Sequence, residues 1–150
     1  MFIKYLFLAL FGIAFGHVEG VVVHYLRLAT GITHINSNKV ILSEIPSILK
    51  IIEITREAAT LIMLIAIAVV TSSTFLEGFI NFLWVFAFWD LAYYGSLYIT
   101  SRWPKSLMEI DVLFLIPRSW IAPVWIPIFV SSLTIIIIGM LLVLGAFPCM

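Results

Sequence analysis

The chain has 150 residues, 63% of them hydrophobic and 11% charged, with a mean hydropathy of +1.20 and a formal net charge of zero. So little charge cannot cover the surface of a soluble domain, and the composition is that of an integral membrane protein whose first partner is the lipid bilayer. No basic run or basic helix face invites nucleic acid, and the single Cys149 excludes an internal disulfide and a thiolate metal cage.

Hydropathy predicts an all-α, polytopic fold: one domain over residues 1–150, built as a four-transmembrane-helix bundle with spans at about 2–26, 48–70, 79–99 and 126–146. Each is near the ~20 apolar residues that a bilayer requires. Lys4 followed by an apolar run could pass for a secretory signal. The apolar character continues through Val18 and Val21 to Tyr25, which is long enough to span, so the first segment reads as a retained helix. Between the first two spans, Thr30 to Ser47 reads as a polar loop with Gly31, Asn36, Ser37, Asn38 and Pro46 as turn residues, and Thr71 to Thr74 as a short turn before the third.

From Trp103 to Pro127 an apolar, Trp-rich stretch is interrupted by Pro104, Pro117, Pro123 and Pro127 and also holds Glu109 and Asp111. Proline cannot continue a helix there. An interfacial or re-entrant segment before the fourth helix is expected, capping one end of the bundle with Trp103, Trp120 and Trp125 at headgroup depth. Arg27, Lys39, Lys50, Arg102, Lys105 and Arg118 fall at the end where the first and third spans finish, and only Lys4 falls at the other. The positive-inside tendency makes the first end cytoplasmic and both termini extracytoplasmic, in a bacterial inner membrane.

The chemistry-bearing feature is a set of acids inside the hydrophobic segments: Glu19, Glu53, Glu57 and Asp90. A carboxylate facing hydrocarbon is costly, so it turns inward, finds a partner and marks an ion, proton or metal site. Glu19 lies eight residues before Arg27, Glu57 ten after Ser47 and Asp90 twelve before Arg102. At a rise of about 1.5 Å per residue these offsets are roughly 12, 15 and 18 Å, so three helices can bring carboxylates to similar depth. Glu53 and Glu57 are i,i+4, with Arg56 and Thr60 on the same stripe, and Tyr93 and Tyr94 follow Asp90 at i+3 and i+4.

Carboxylates from several helices of a bundle are the ligands of di-iron and di-manganese proteins. The leading expectation is therefore a metal or cation site at Glu19, Glu53, Glu57 and Asp90 for iron, manganese or zinc, with Arg56, Thr60, Tyr93, Tyr94 and Arg27 holding those ligands in place. The Glu-x-x-His pairs of those bundles are missing, and Glu53-x-x-x-Glu57 is the nearest substitute. Four acids against Arg56 and Arg27 leave about two negative charges for protons or a cation to balance. The alternatives are structural pairing of acids with Arg56 and Arg27 in an accessory subunit of a larger membrane complex, and proton or cation transport along the same groups. Partners are then other membrane subunits or further copies of the chain.

His17 and His24 share a face, but about 10 Å of rise separates them, so they cannot be the two axial ligands of one haem, and His34 is in the loop. A haem held by this chain alone is not expected. Gly12, Gly16 and Gly20 form a small-residue stripe that invites close helix approach, either to the polar stripe of the second span or to another copy. No phosphate loop, dinucleotide fingerprint, nucleophile elbow or His-Glu-x-x-His helix is present.

The runs Val18-Glu19 to Leu26-Arg27, Glu53-Ile-Thr-Arg56-Glu57-Ala-Ala-Thr60, Trp89-Asp90-Leu-Ala-Tyr93-Tyr94 and Trp103-Pro104 through Asp111 to Pro117 resemble a group of uncharacterised four-span bacterial membrane proteins. The resemblance touches most of the chain and brings no activity with it. It implies that the acids picked out by membrane physics recur in similar proteins, and His17 and His24 stand outside the shared pattern.

Overall fold

The computed structural model describes residues 2–30 and 47–145. The predicted loop with His34 and Lys39, and Ala146 and Cys149 at the chain end, lie outside them. Four helices and a hairpin follow in order: α1 (Phe2–Thr30), α2 (Ser47–Val70), α3 (Phe75–Ser101), β1 (Ile110–Phe114), β2 (Trp120–Pro123) and α4 (Trp125–Val143). Three helical stretches, Phe2–Ala29, Phe75–Ser101 and Trp125–Val143, are long and apolar enough to cross a membrane. At 24 residues α2 is long enough, but Lys50, Glu53, Arg56 and Glu57 crowd its first half.

Helix α3 is the hub, packing along α1 and contacting α2 and α4. It runs four residues earlier than the apolar stretch suggested, because Thr74 caps it: the Thr74 hydroxyl accepts from the Glu77 N–H at 3.3 Å, and Glu77 Oε2 accepts from the Ser73 N–H at 2.6 Å. That reciprocal arrangement satisfies donors which the first helical turn leaves open. Lys4 pairs with Glu77, tying the start of α1 to the start of α3. At the other end Arg102 adopts φ 55° and donates its backbone N–H to Tyr98 O, stopping the helix before Trp103-Pro104.

The glycine stripe packs against α3, not against the polar stripe of α2. A Cβ on Gly16 would lie 2.2 Å from Trp89 O, one on Gly12 2.7 Å from Val85 O, and one on Gly20 2.7 Å from Ser96 Cβ. Helix α3 supplies small partners at Ala92 and Ser96, so the two backbones close up. Beside this seam Trp84 Nε1 donates to Tyr5 O at 2.8 Å, and the two rings meet edge to face at 5.6 Å. Ser96 also donates to His17 O at 3.2 Å and lies 3.0 Å from His17 Nδ1, which satisfies that histidine locally.

The proline-rich segment is an antiparallel β-hairpin, an element that the all-α expectation omitted. Ile110 pairs with Pro123, Asp111 with Ala122, Val112 with Ile121 and Phe114 with Trp120, with an irregularity between Val112 and Phe114. Branched and aromatic residues favour strands where proline excludes helix. Val124 and Trp125 donate backbone N–H groups to Glu109 O and Leu107 O, both at 2.9 Å, which seats the start of α4 on the chain leading into the hairpin. Trp120 and Trp125 are 56% and 41% exposed, as an aromatic belt requires, whereas Trp103 is 3% exposed. Trp103 is buried because the Arg27 guanidinium lies 4.0 Å over its ring and Tyr94 packs beside it.

Candidate functional site

A cavity of about 290 Å³ opens among α1, α2, α3, the hairpin and α4. The carboxylates Glu19, Glu53, Glu57 and Asp90 line it, together with Arg27, Arg56, Thr60, Tyr93 and Tyr94. Helical phase accounts for the α2 contribution, since residues three, four and seven apart face one way. Three residues that the sequence reading gave no site role join them: Asp111 from β1, Ser131 from α4 and Trp89 from α3.

Each acid has a partner, and Arg56 serves two of them. Glu19, 5% exposed, accepts from Thr60 Oγ1 at 2.6 Å and is ion-paired with Arg56. Arg56 also donates from its Nε and a terminal nitrogen to Glu53 Oε2, at 3.0 and 2.8 Å. One guanidinium therefore bridges α1 and α2. Glu57 reaches the end of the hairpin strand and accepts from the backbone N–H groups of Leu115 and Ile116, at 2.8 and 3.1 Å. Asp90 accepts from Ser131 Oγ at 2.7 Å, linking α3 to α4.

Asp111 accepts from the Tyr94 hydroxyl at 3.1 Å and faces Arg27 at 3.6 Å. Burial pushes its carboxyl above the ordinary range, and Arg27 and the Tyr94 hydroxyl pull it part of the way back. Tyr94 thus serves Asp111, not Asp90 as its spacing suggested, because the hairpin folds back into reach of α3.

The acids share a cavity but not a ligand position. Among the described residues, no three His, Cys, Asp or Glu side chains are grouped to hold one metal ion. The expected ligands Glu19, Glu53, Glu57 and Asp90 line one cavity, and each is engaged by a hydrogen bond or ion pair within the protein. Glu19 and Glu53 share Arg56, while Glu57 turns to the hairpin and Asp90 to α4. Neither His17 nor His24 lines the cavity.

Around the cavity stand five carboxylates, with Asp111 the fifth, against the guanidiniums of Arg27 and Arg56, a formal excess of three negative charges. Such an excess in a low-dielectric site must be balanced by protons or a bound cation. The rest of the wall is apolar and aromatic, with Phe86, Trp89, Phe114 and Trp120 among its residues. Aromatic faces are partially negative and complement a cation as well. Among the described residues, the buried indole N–H of Trp89 meets no hydrogen-bond acceptor, a costly state in a protein interior. No known protein family, curated protein or solved structure matches this chain.

Proposed function

We propose that this is a small integral membrane protein whose polar cavity binds a cation. In this reading Ser47–Val70 is a fourth span beside the three apolar ones, its charged first half lining the cavity and its apolar second half burying Leu64 and Ala68 while offering Ile62, Ile65 and Val69 to lipid. The end bearing Arg27, Arg102, Lys105 and Arg118 faces the cytoplasm of a bacterial inner membrane, and the ends near Lys4 and Val143 face outward. The observation that carries the proposal is the charge balance: five acids and two guanidiniums around one cavity call for positive charge from outside the chain.

Thermal unfolding of the purified protein in detergent tests this, with Na⁺, K⁺, Mg²⁺ and simple ammonium salts at matched ionic strength. A bound cation at about a hundred times its Kd adds about 2.7 kcal/mol to stability, which raises Tm by several degrees. Asp90→Asn should abolish the shift while the protein still folds. No shift with any cation would sink the reading.

A second reading treats the acids as ties within an accessory subunit of a larger membrane complex. It is favoured by the fact that Glu19, Glu57, Asp90 and Asp111 each have a partner on another element and Glu53 pairs with Arg56 on its own helix. It expects no cation-dependent shift, together with defined subunits co-eluting from native membranes.

A further inference from the structure

We infer that α1 carries a docking face for a second copy of this chain, along Leu10, Ala14, His17, Val21, His24 and Leu28, where the two His17 side chains meet across a twofold axis. The inference is independent of what the cavity binds. It rests on Phe2–Ala29 as a membrane span.

His17 is the starting observation. It lies beside the middle of the 29-residue α1, at the depth of the hydrocarbon core. Among the described acidic and basic side chains of the three apolar helices, Glu19, Glu77 and Asp90 are buried and Lys4, His24 and Arg27 half-buried, whereas His17 is exposed. Ser96 Oγ lies 3.0 Å from its Nδ1, and no hydrogen bond reaches Nε2 from the described residues. Ionisable side chains at that depth face protein, not lipid. The outer face of α1 therefore has protein against it in the membrane.

Spacing gives the form of that contact. From Leu10 to Leu28 the six residues recur at alternating intervals of four and three, the heptad seam of two helices packed side by side. Leu10 and Leu28 are 50% and 59% exposed, Ala14 is exposed, and Val21 and His24 are half-buried, so the seam is open along its length. The glycines that meet α3 lie about 130° round the helix from it, so α1 packs on α3 and still has this face to offer. Ala14, one turn from His17, lets a second backbone come close.

Complementarity selects a second copy. Copies of one chain insert with the same orientation, because the same charged ends set it. A twofold pair is then parallel, and each seam residue meets its counterpart at the same depth. A neutral imidazole carries one donor and one acceptor. The Ser96 hydroxyl either donates to Nδ1, or accepts from Nδ1–H while donating to His17 O at 3.2 Å. The first state makes Nε2 a donor and the second makes it an acceptor, so one His17 donates to the other. Lipid and purely apolar helices offer neither group.

Cysteine cross-linking of the full chain in its native membrane, in a Cys149→Ser background, tests the face. Ala14→Cys and Val21→Cys lie on the seam, and Val22→Cys, at the same depth and 40% exposed on another side, is the comparison. The seam variants should give a disulfide-linked product of twice the chain mass, in several-fold higher yield than Val22→Cys, because only seam positions bring two Cα atoms within the ~4.4–6.8 Å that a disulfide spans. Energy transfer between labelled copies in lipid vesicles then reads the role of His17. His17→Leu should weaken association about three- to twentyfold, and His17→Asn, which keeps a donor and an acceptor, should restore most of it. Tm shows that both variants are folded. No doubled product, equal yields on and off the seam, or cross-linking of Ala14→Cys to a different protein each overturns the inference, and so does a His17→Leu variant that associates like the parent. The salt-dependent Tm shift bears on the cavity alone, so the two readings fail separately.

Discussion

Glu57 on α2 accepts from the backbone N–H of Leu115, at 2.8 Å, and from that of Ile116 beside it. A charged side chain on one helix thereby satisfies two backbone donors at the end of a β-strand 58 positions away in sequence. Open strand ends in an apolar setting need such partners, because an unpaired backbone donor there costs several kcal/mol. The hairpin is therefore held to α2 by the acid that the sequence suggested as a metal ligand.

Replacing Glu57 by alanine leaves both donors open. The expected loss is about 2–3 kcal/mol of stability, given the ~1–3 kcal/mol attached to each unsatisfied buried group and partial relief by water. Glu57→Gln keeps one acceptor and should cost less than the alanine variant. Denaturant unfolding in mixed micelles, with limited proteolysis across residues 115–119, checks the order of the three proteins.

Thr60 donates to Glu19 across the α1–α2 gap, and the contact is buried. Thr60→Val keeps the shape and removes the hydroxyl, so the carboxylate loses a hydrogen bond of the charge-assisted kind. About 1.5–3 kcal/mol should be lost. Thr55→Val, whose hydroxyl donates to Ile52 O on an exposed face, should stay within about 0.5 kcal/mol.

Arg56 bridges Glu19 and Glu53, so its removal strands two acids at once. Arg56→Leu is expected to cost about 3 kcal/mol, the low end for breaking a buried pair, because the side chain keeps some exposure. Adding Glu19→Gln and Glu53→Gln should recover part of that loss. The triple variant is the informative one: if it is no more stable than Arg56→Leu, the ion pairs are not what Arg56 supplies.

The α1–α3 seam gives the clearest contrast. Gly16→Ala would place a methyl group 2.2 Å from Trp89 O, a backbone atom that cannot move aside, whereas a Cβ on Gly95 meets nothing within 4 Å. Gly16→Ala should lower folded yield and Tm sharply. Gly95→Ala should stabilise by up to about 1 kcal/mol through helix propensity alone. Fluorescence-detected size exclusion after heating separates the two.

The sequence reading reached far into the cavity wall. Glu19, Glu53, Glu57, Asp90, Arg56, Thr60, Tyr93, Tyr94 and Arg27 all line it. Their polarity inside apolar runs and their helical spacing are local properties, and the cost of burying them unpartnered is general. Asp111 was visible as an acid in the proline-rich segment, yet nothing local says that the segment turns back against α3. Ser131 and Trp89 carry no signal at all in a chain rich in both small and aromatic residues.

The sequence by itself determined that the chain is mostly helical with stretches apolar enough to cross a membrane, that its acids must turn inward, and that α2 carries a polar stripe. Each follows from hydropathy and periodicity along one stretch of chain. Tertiary structure alone decided which acid meets which partner: Arg56 joins Glu19 to Glu53, Glu57 holds the hairpin, and Tyr94 serves Asp111. It also decided that the glycine stripe lies on α3, and that the carboxylates surround a cavity without converging on one point. Those outcomes depend on how helices and hairpin approach one another in space, and a hydrogen bond between residues 58 positions apart leaves no trace in the order of either segment.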